Sequence, residues 1–249
     1  MIIAVDIGNS SINIGFFEDK EPIVRTIPSH PLRGKDEYIR IFRENLIDNP
    51  PQGSIILSVV PGHTQTLREA LLEVTEKEPI EVRASMVDFM VFDLDDREGL
   101  GSDRVASAVG AYMLYGAPSV VVDFGTATTI NFIAEGGVFK GGSIMPGLAL
   151  MAEVLSKRTA KLPLVGLKPP KSSLGKRTED SILSGIIYGS AGAVERIISE
   201  VENKEGMRFK IILTGGGANL MKDYVRHDYL EPYLTLKGMR FIYEKNARA

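Results

Sequence analysis

An α/β fold with mixed sheets, assembled from two halves of one plan, is predicted by three observations. The first is the stretch Val120-Val121-Val122-Asp123-Phe124-Gly125-Thr126-Ala127-Thr128-Thr129-Ile130, in which β-branched residues run into an acid, a glycine turn and more apolar chain. Val, Ile and Thr favour extended backbone, so this reads as strand, tight turn, strand. The second is an echo near the N-terminus, Ala4-Val5-Asp6-Ile7-Gly8-Asn9-Ser10-Ser11-Ile12-Asn13. Aligned on the acids, Val5, Asp6, Gly8 and Ser11 fall opposite Val122, Asp123, Gly125 and Thr128. A period near half the chain length points to a duplicated domain, because solenoid repeats are much shorter. The third is the order of elements. Each half reads as three meandering strands followed by helix, strand, helix, unlike the strict alternation of a doubly wound sheet.

The first half is expected over 1–116. Strands are predicted at 2–6, 12–17 and 22–27, with Glu18-Asp19-Lys20 as a hairpin turn. Tyr38, Ile39, Ile41, Phe42, Leu46 and Ile47 recur at helical spacing, which predicts a helix over 36–47 stopped by Asn49-Pro50-Pro51. Ser54 to Val60 is a strand ending at Pro61-Gly62, 64–75 a helix, and 80–82 a strand. His63 is expected in a surface loop. After an acid-rich irregular stretch from Val87 to Gly101, Val105 to Tyr115 reads as a buried helix, and Gly116-Ala117-Pro118 marks the boundary.

The second half is expected over 117–249, with strands at 119–123, 128–133 and 137–144 and a Gly136-Gly137 hairpin turn. Gly141 to Gly147 reads as a loop and 148–157 as a helix. A Pro- and Lys-rich connection follows. Thr178 to Glu202 is one long helix, with Thr178 as N-cap and Glu179 and Asp180 in the favourable first turn. Phe209 to Leu213 is a strand running into Thr214-Gly215-Gly216-Gly217, and a helix follows over 218–226.

Composition narrows the function. The chain has 249 residues, 44% hydrophobic and 24% charged, with a net charge of −3. That provides real cores and no basic field to recruit nucleic acid. No cysteine means no disulfide, thiolate zinc site or cysteine nucleophile, and three scattered histidines make no metal cluster. The apolar N-terminal run meets Asp6 too early for a signal peptide and no run approaches membrane-spanning length, so a cytoplasmic protein is expected. A Walker loop, a G-x-G-x-x-G after a strand and a G-x-S-x-G elbow are all missing from the sequence.

Two further motifs admit two readings each. In Thr214-Gly215-Gly216-Gly217, Gly215 and Gly216 could let backbone amides and a flat ring approach closely at a helix N-terminus, or form a flexible connection. Gly101-Ser102-Asp103-Arg104 could be an Asp N-cap with a surface salt bridge, or a general base beside a cation that holds an anionic substrate. Thr126, Thr128 and Thr129 supply hydroxyls for phosphate or a hard cation, and Asp123 stands at the strand end.

Taken together and in order, Asp6-Ile7-Gly8-Asn9-Ser10, Gly101-Ser102-Asp103-Arg104, Asp123-Phe124-Gly125-Thr126-Ala127-Thr128-Thr129, Gly141-Gly142-Ser143-Ile144-Met145-Pro146-Gly147, Arg158-Thr159-Ala160-Lys161-Leu162-Pro163 and Leu213-Thr214-Gly215-Gly216 resemble the type III pantothenate kinases. The resemblance implies duplicated actin-like, sugar-kinase-like (ribonuclease H-like) domains. It also implies ATP-dependent phosphorylation of pantothenate, the first step of coenzyme A synthesis. By motif, Asp6, Ile7, Gly8, Asn9, Ser10, Ser11, Ile12 and Asn13 would form the first phosphate loop. Asp103 would accept the proton of the substrate hydroxyl, and Gly101, Ser102, Asp103 and Arg104 would contact pantothenate. Asp123 would hold the monovalent cation the family requires, K⁺ or NH₄⁺, and Thr126 would contact ATP. Thr178 would be a further substrate contact, and the family forms homodimers.

Two departures from the family pattern stand out. Leu94 and Arg97 occupy the places of a frequent aromatic residue and proline, and Ser10 replaces a threonine while keeping the hydroxyl. The Asp6 carboxylate would repel bare phosphate, so it is expected to act through Mg²⁺ or water. The other readings are a related kinase acting on a sugar or small carboxylate, and a non-catalytic ATP-binding regulatory module. A degenerate module would be expected to lose Asp103 or Asp123, and both are present.

Overall fold

The computed structural model describes residues 1–46 and 51–247. In chain order the elements are β1 (Ile2–Ile7), β2 (Ser11–Phe17), β3 (Ile23–Pro28), α1 (Lys35–Arg43), β4 (Gly53–Ser58), α2 (Pro61–Thr75), β5 (Ile80–Glu81), β6 (Val91–Phe92) and α3 (Ser102–Tyr115). Then come β7 (Ser119–Phe124), β8 (Ala127–Ala134), β9 (Val138–Pro146), α4 (Leu148–Arg158), α5 (Thr178–Glu205), β10 (Lys210–Thr214), α6 (Ala218–Met221), β11 (Tyr229–Leu230) and α7 (Leu234–Asn246). They form two compact units, Met1–Leu114 with Tyr233–Ala249, and Tyr115–Pro232. The crossing at 114/115 lies close to the expected 116/117. The segment from Tyr233 onward, expected in the second half, clusters with the first unit.

Strand for strand, the two sheets share one plan. In the first unit the order is β3–β2–β1–β4–β5, with β1 antiparallel to β2 and parallel to β4. In the second unit β9–β8–β7–β10–β11 repeats it, with β7 antiparallel to β8 and parallel to β10. Asp6 pairs with Asn13 on β2 and Leu57 on β4, while Asp123 pairs with Thr129 on β8 and Thr214 on β10. The two acids therefore hold the same place in the plan.

After the turn the expected alignment slips by one. In the first turn the Gly8 N–H donates to the Ser11 carbonyl (3.0 Å), and in the second the Gly125 N–H donates to Ala127 (3.1 Å). The second turn is one residue shorter, so Ser11 corresponds to Ala127, the first residue of β8, and not to Thr128.

Alternation along β1 decides which face each residue serves. Ile3, Val5 and Ile7 enter a core with Tyr38 and Phe42 of α1 and Leu67 and Leu71 of α2. The even residues, Asp6 among them, face the other way. On α3 and α7 the backbones come into contact, and a Cβ on Gly238 would overlap the Ala106 carbonyl. In the second unit, Val120, Val122 and Phe124 of β7 meet Ile182, Leu183, Ile186 and Ile187 of α5 in one core.

Several local expectations change. The helix α2 begins at Pro61, whose missing N–H costs nothing in a first turn, so Pro61-Gly62 is not a loop. His63 is consequently carried into the interior at 1% exposure instead of lying in a surface loop. The expected loop at Gly141–Gly147 is strand through Pro146. Arg177, and not Thr178, occupies the cap of α5, and no side chain caps it. The helix after the glycine run is short, and α7, which sequence periodicity did not bring out, completes the first unit. The expected helix end at Ile47 and stop at Asn49-Pro50 lie outside the described residues.

Candidate active site

In the first unit the site is built at the end of β1 and the start of α3. Asp6 is the last even residue of β1 and is half-buried. Asn13 Nδ2, opposite it on β2, donates to Asp6 Oδ2 at 3.4 Å, and Thr26 Oγ1 on β3 donates to Asn13 Oδ1 at 2.9 Å. Burial pushes the Asp6 carboxyl up to about 7, the Asn13 amide pulls it back down, and the nearby charge of Asp103 adds to the rise. The fold thus brings Asp6 and Asp103, 97 positions apart in the chain, within electrostatic reach.

Asp103 is not an N-cap. Helix α3 starts at Ser102, and the Gly101 carbonyl accepts the N–H groups of Arg104 and Val105 (both 3.1 Å). The Asp103 carboxylate lies in the first turn, with Oδ1 accepting the Arg104 N–H at 2.9 Å. That carboxylate folds back over Gly101, whose side-chain position it fills at 2.6 Å. Arg104 is half-buried, and burial lowers its guanidinium while Asp103 holds it up. Of the two departures upstream, Arg97 is tied to the Ala84 carbonyl (2.9 Å) and lies over the Phe92 ring at 5.3 Å, and Leu94 is half-buried.

In the second unit three turns meet around the end of β7. Gly215, with φ at +85°, lies so close to Asp123 that a Cβ there would overlap Asp123 Oδ1. Only glycine suits that backbone and that gap. The Gly217 N–H donates to the Phe124 carbonyl (2.9 Å), and the Gly147 N–H donates to the Thr126 carbonyl (3.1 Å). Thr126 is exposed at the lip of this arrangement, and Gly216 is exposed beside it. Thr128, on the first rung of β8, buries its hydroxyl completely without a hydrogen-bond partner. Thr178 is exposed at the head of α5.

The Asp123 carboxylate at the end of β7 and the carbonyls of the adjoining glycine turns make an oxygen-only donor set of the kind that hard cations bind. Among the described residues no group of three or more His, Asp or Glu could hold a metal alone. No described helix is long and apolar enough to cross a membrane.

The profile of one protein family, described as type III pantothenate kinase, matches residues 2–200. The chain belongs to that family. A type III pantothenate kinase of Moorella thermoacetica is 36% identical over 253 residues, which is 99% of this chain and 100% of that one. Among solved structures, a proposed Baf family transcriptional activator from Campylobacter jejuni superposes with a TM-score of 0.64 at 22% identity, covering 99% and 100% of the two chains. A ROK family glucokinase from Streptomyces griseus gives 0.51 at 12% identity over 98% and 99%. At these identities the structural likeness shows the fold alone, a duplicated actin-like arrangement. The family assignment rests on sequence, over nearly the whole chain.

One residue that the sequence reading did not pick out also lies at these turns. Ser29, fully buried after β3, donates from Oγ to the Gly8 carbonyl at 2.6 Å. Gly147 ends the other clasp, where a Cβ would overlap the Gly125 carbonyl. No local pattern marks Ser29, because its partners Gly8 and Ser10 are distant in sequence.

Proposed function

We infer that this chain catalyses ATP-dependent phosphorylation of pantothenate to 4'-phosphopantothenate, with Asp103 as the general base. The observation that carries the residue assignment is the Asp103 carboxylate in the first turn of α3, beside Arg104 and within reach of Asp6. The Asp103 carboxylate takes the proton of the attacking primary alcohol as the γ-phosphoryl group leaves ADP. The carboxylate of pantothenate calls for a cation, and Arg104 with Gly101 and Ser102 supplies that end of the site; Thr178 is the further substrate contact.

Asp6 to Asn13 supplies the first phosphate turn, and Thr126, Gly215 and Gly216 supply the second unit's contacts to ATP. Asp6 would hold the Mg²⁺ that accompanies the nucleotide, and Asp123 with its neighbouring oxygens would hold K⁺ or NH₄⁺. When bound, these cations neutralise phosphate charge. Positioning and charge neutralisation are most of what phosphoryl transfer needs.

A homodimer is part of this reading. The apolar residues of α5 mostly serve the core of their own unit, so the helix is not apolar beyond that need. What remains outward is a smooth strip of exposed Gly185, Gly189 and Gly192, with open space where their side chains would be. Beside it lies an apolar cavity of about 470 Å³ lined by Leu150, Met151, Val154 and Ile182 among others. Together they favour close helix approach by a second copy.

The test is Asp103→Asn. It should lower turnover about 10²–10⁴-fold while the folded protein still binds ATP. Near-wild-type turnover would remove Asp103 from the mechanism.

A further inference from the structure

The first phosphate turn is held from beneath by a residue outside every motif. Ser29 is fully buried immediately after β3. Its hydroxyl donates to the Gly8 carbonyl (2.6 Å), and its backbone N–H donates to the Ser10 carbonyl (3.1 Å). Two carbonyls of the turn are therefore pinned inward by one residue. Across a planar trans peptide, C=O and N–H point in opposite directions. Pinning the Gly8 carbonyl toward Ser29 thus aims the Asn9 N–H the other way, at the exposed tip of the turn, while the Ser10 carbonyl holds the far end of the turn to Ser29. An outward backbone amide on a short glycine turn is a donor of the kind that binds phosphate oxygens.

The second unit repeats the device. Strand β9 ends at Pro146 as β3 ends at Pro28, and the next residue again donates its N–H to the turn. The Gly147 N–H reaches the Thr126 carbonyl at 3.1 Å, and Thr126 precedes β8 as Ser10 precedes β2. A Cβ on Gly147 would point into the Gly125 carbonyl, the counterpart of Gly8. The second turn is one residue shorter, and it leaves no room for the side chain that the first turn uses. Serine in one clasp and glycine in the other follow from that single-residue difference.

Beneath Ser29 the support continues. His63 of α2, 1% exposed, hydrogen-bonds through Nδ1 to the hydroxyl of the fully buried Tyr38 on α1 (2.9 Å), and its ring faces the Ser29 backbone. The loop that carries Ser29 is thereby backed by two helices.

We propose that Ser29 is a positioning residue for phosphoryl transfer: its hydroxyl and N–H hold the turn so that the Asn9 amide is set against the phosphates of ATP. This rests on the reading of residues 6–13 as a phosphate turn. Removing the hydroxyl leaves the half-buried Gly8 carbonyl without its donor, which frees the turn to rotate toward another.

Kinetics of Ser29→Ala and Ser29→Cys, with thermal melting and wild type alongside, test the proposal. The thiol is a weak donor of nearly the same size, so Cys stays packed where Ala leaves a void. KM for ATP should rise about tenfold in Ala and less in Cys, with KM for pantothenate within about twofold of wild type. An unchanged KM for ATP in both variants would overturn the clasp while leaving the kinase reading intact. So would an equal rise in both KM values that tracks a lowered melting temperature, the sign of a general loosening. If Ala does not fold, Cys decides by the same criteria. Absence of ATP binding by wild type would remove the phosphate-turn reading and the proposal together.

Discussion

Asp6 is the residue where fold and chemistry conflict most. A carboxylate at the end of a buried strand, with a second acid nearby, is costly to ionise, and its proton is held up to about pH 7. The sign of the consequence is definite. Near pH 5 the folded protein keeps this proton while an unfolded Asp, at about 3.9, has lost it. Folding therefore takes up a proton between about pH 4 and pH 7, and stability falls as pH rises through that window. Asp6→Asn cannot ionise, so it should gain on the order of 2–4 kcal/mol relative to wild type at pH 8, and less at pH 5. Urea denaturation of the nucleotide-free protein at the two pH values checks this. Equal differences at pH 5 and pH 8 would mean that Asp6 titrates normally. The motif made Asp6 legible in the sequence. Its proximity to Asp103 was not legible, because it depends on where α3 lies against β1.

At the scale of elements, the duplication was readable because strand-Asp-x-Gly-strand is a local pattern in both halves. What followed the turn was less so. A one-residue deletion cannot be located from Ser and Thr composition, and only the ladder shows that Ser11 corresponds to Ala127. The Gly141–Gly147 stretch read as loop because glycine is depleted in strands, yet pairing with β8 carries it as β9. His63 read as loop because Pro-Gly usually punctuates, whereas here it opens α2. Helix α7 packs against β1, β2 and β4 of the first unit, and Gly238 lets it approach α3. Gly238→Val should therefore destabilise the protein by about 2 kcal/mol or more, since the new side chain meets the Ala106 backbone and not a movable side chain. A shift of the urea midpoint below that size would show that the two helices separate cheaply.

For the whole molecule, two units of the same plan each bring an acid, a tight turn and a clasp from the third strand, and the family assignment supplies the chemistry for which they are suited. The outward glycine strip of α5 bears on assembly. Sedimentation at micromolar concentration should give a species near twice 27.2 kDa. Gly189→Arg, placed in open space on that strip, should yield folded monomer. A wild-type monomer with full kinase activity would defeat the interface.

The most direct test of the central claim is identification of the phosphorylated product. The protein would be incubated with ATP, Mg²⁺ and pantothenate, glucose or N-acetylglucosamine as acceptor, in K⁺ and in Na⁺, and the phosphorus NMR spectrum followed. The account predicts a new phosphomonoester resonance with pantothenate only, fast in K⁺ and sharply slower in Na⁺. Transfer to a sugar in preference to pantothenate, or bound ATP with no transfer to any acceptor, would contradict it.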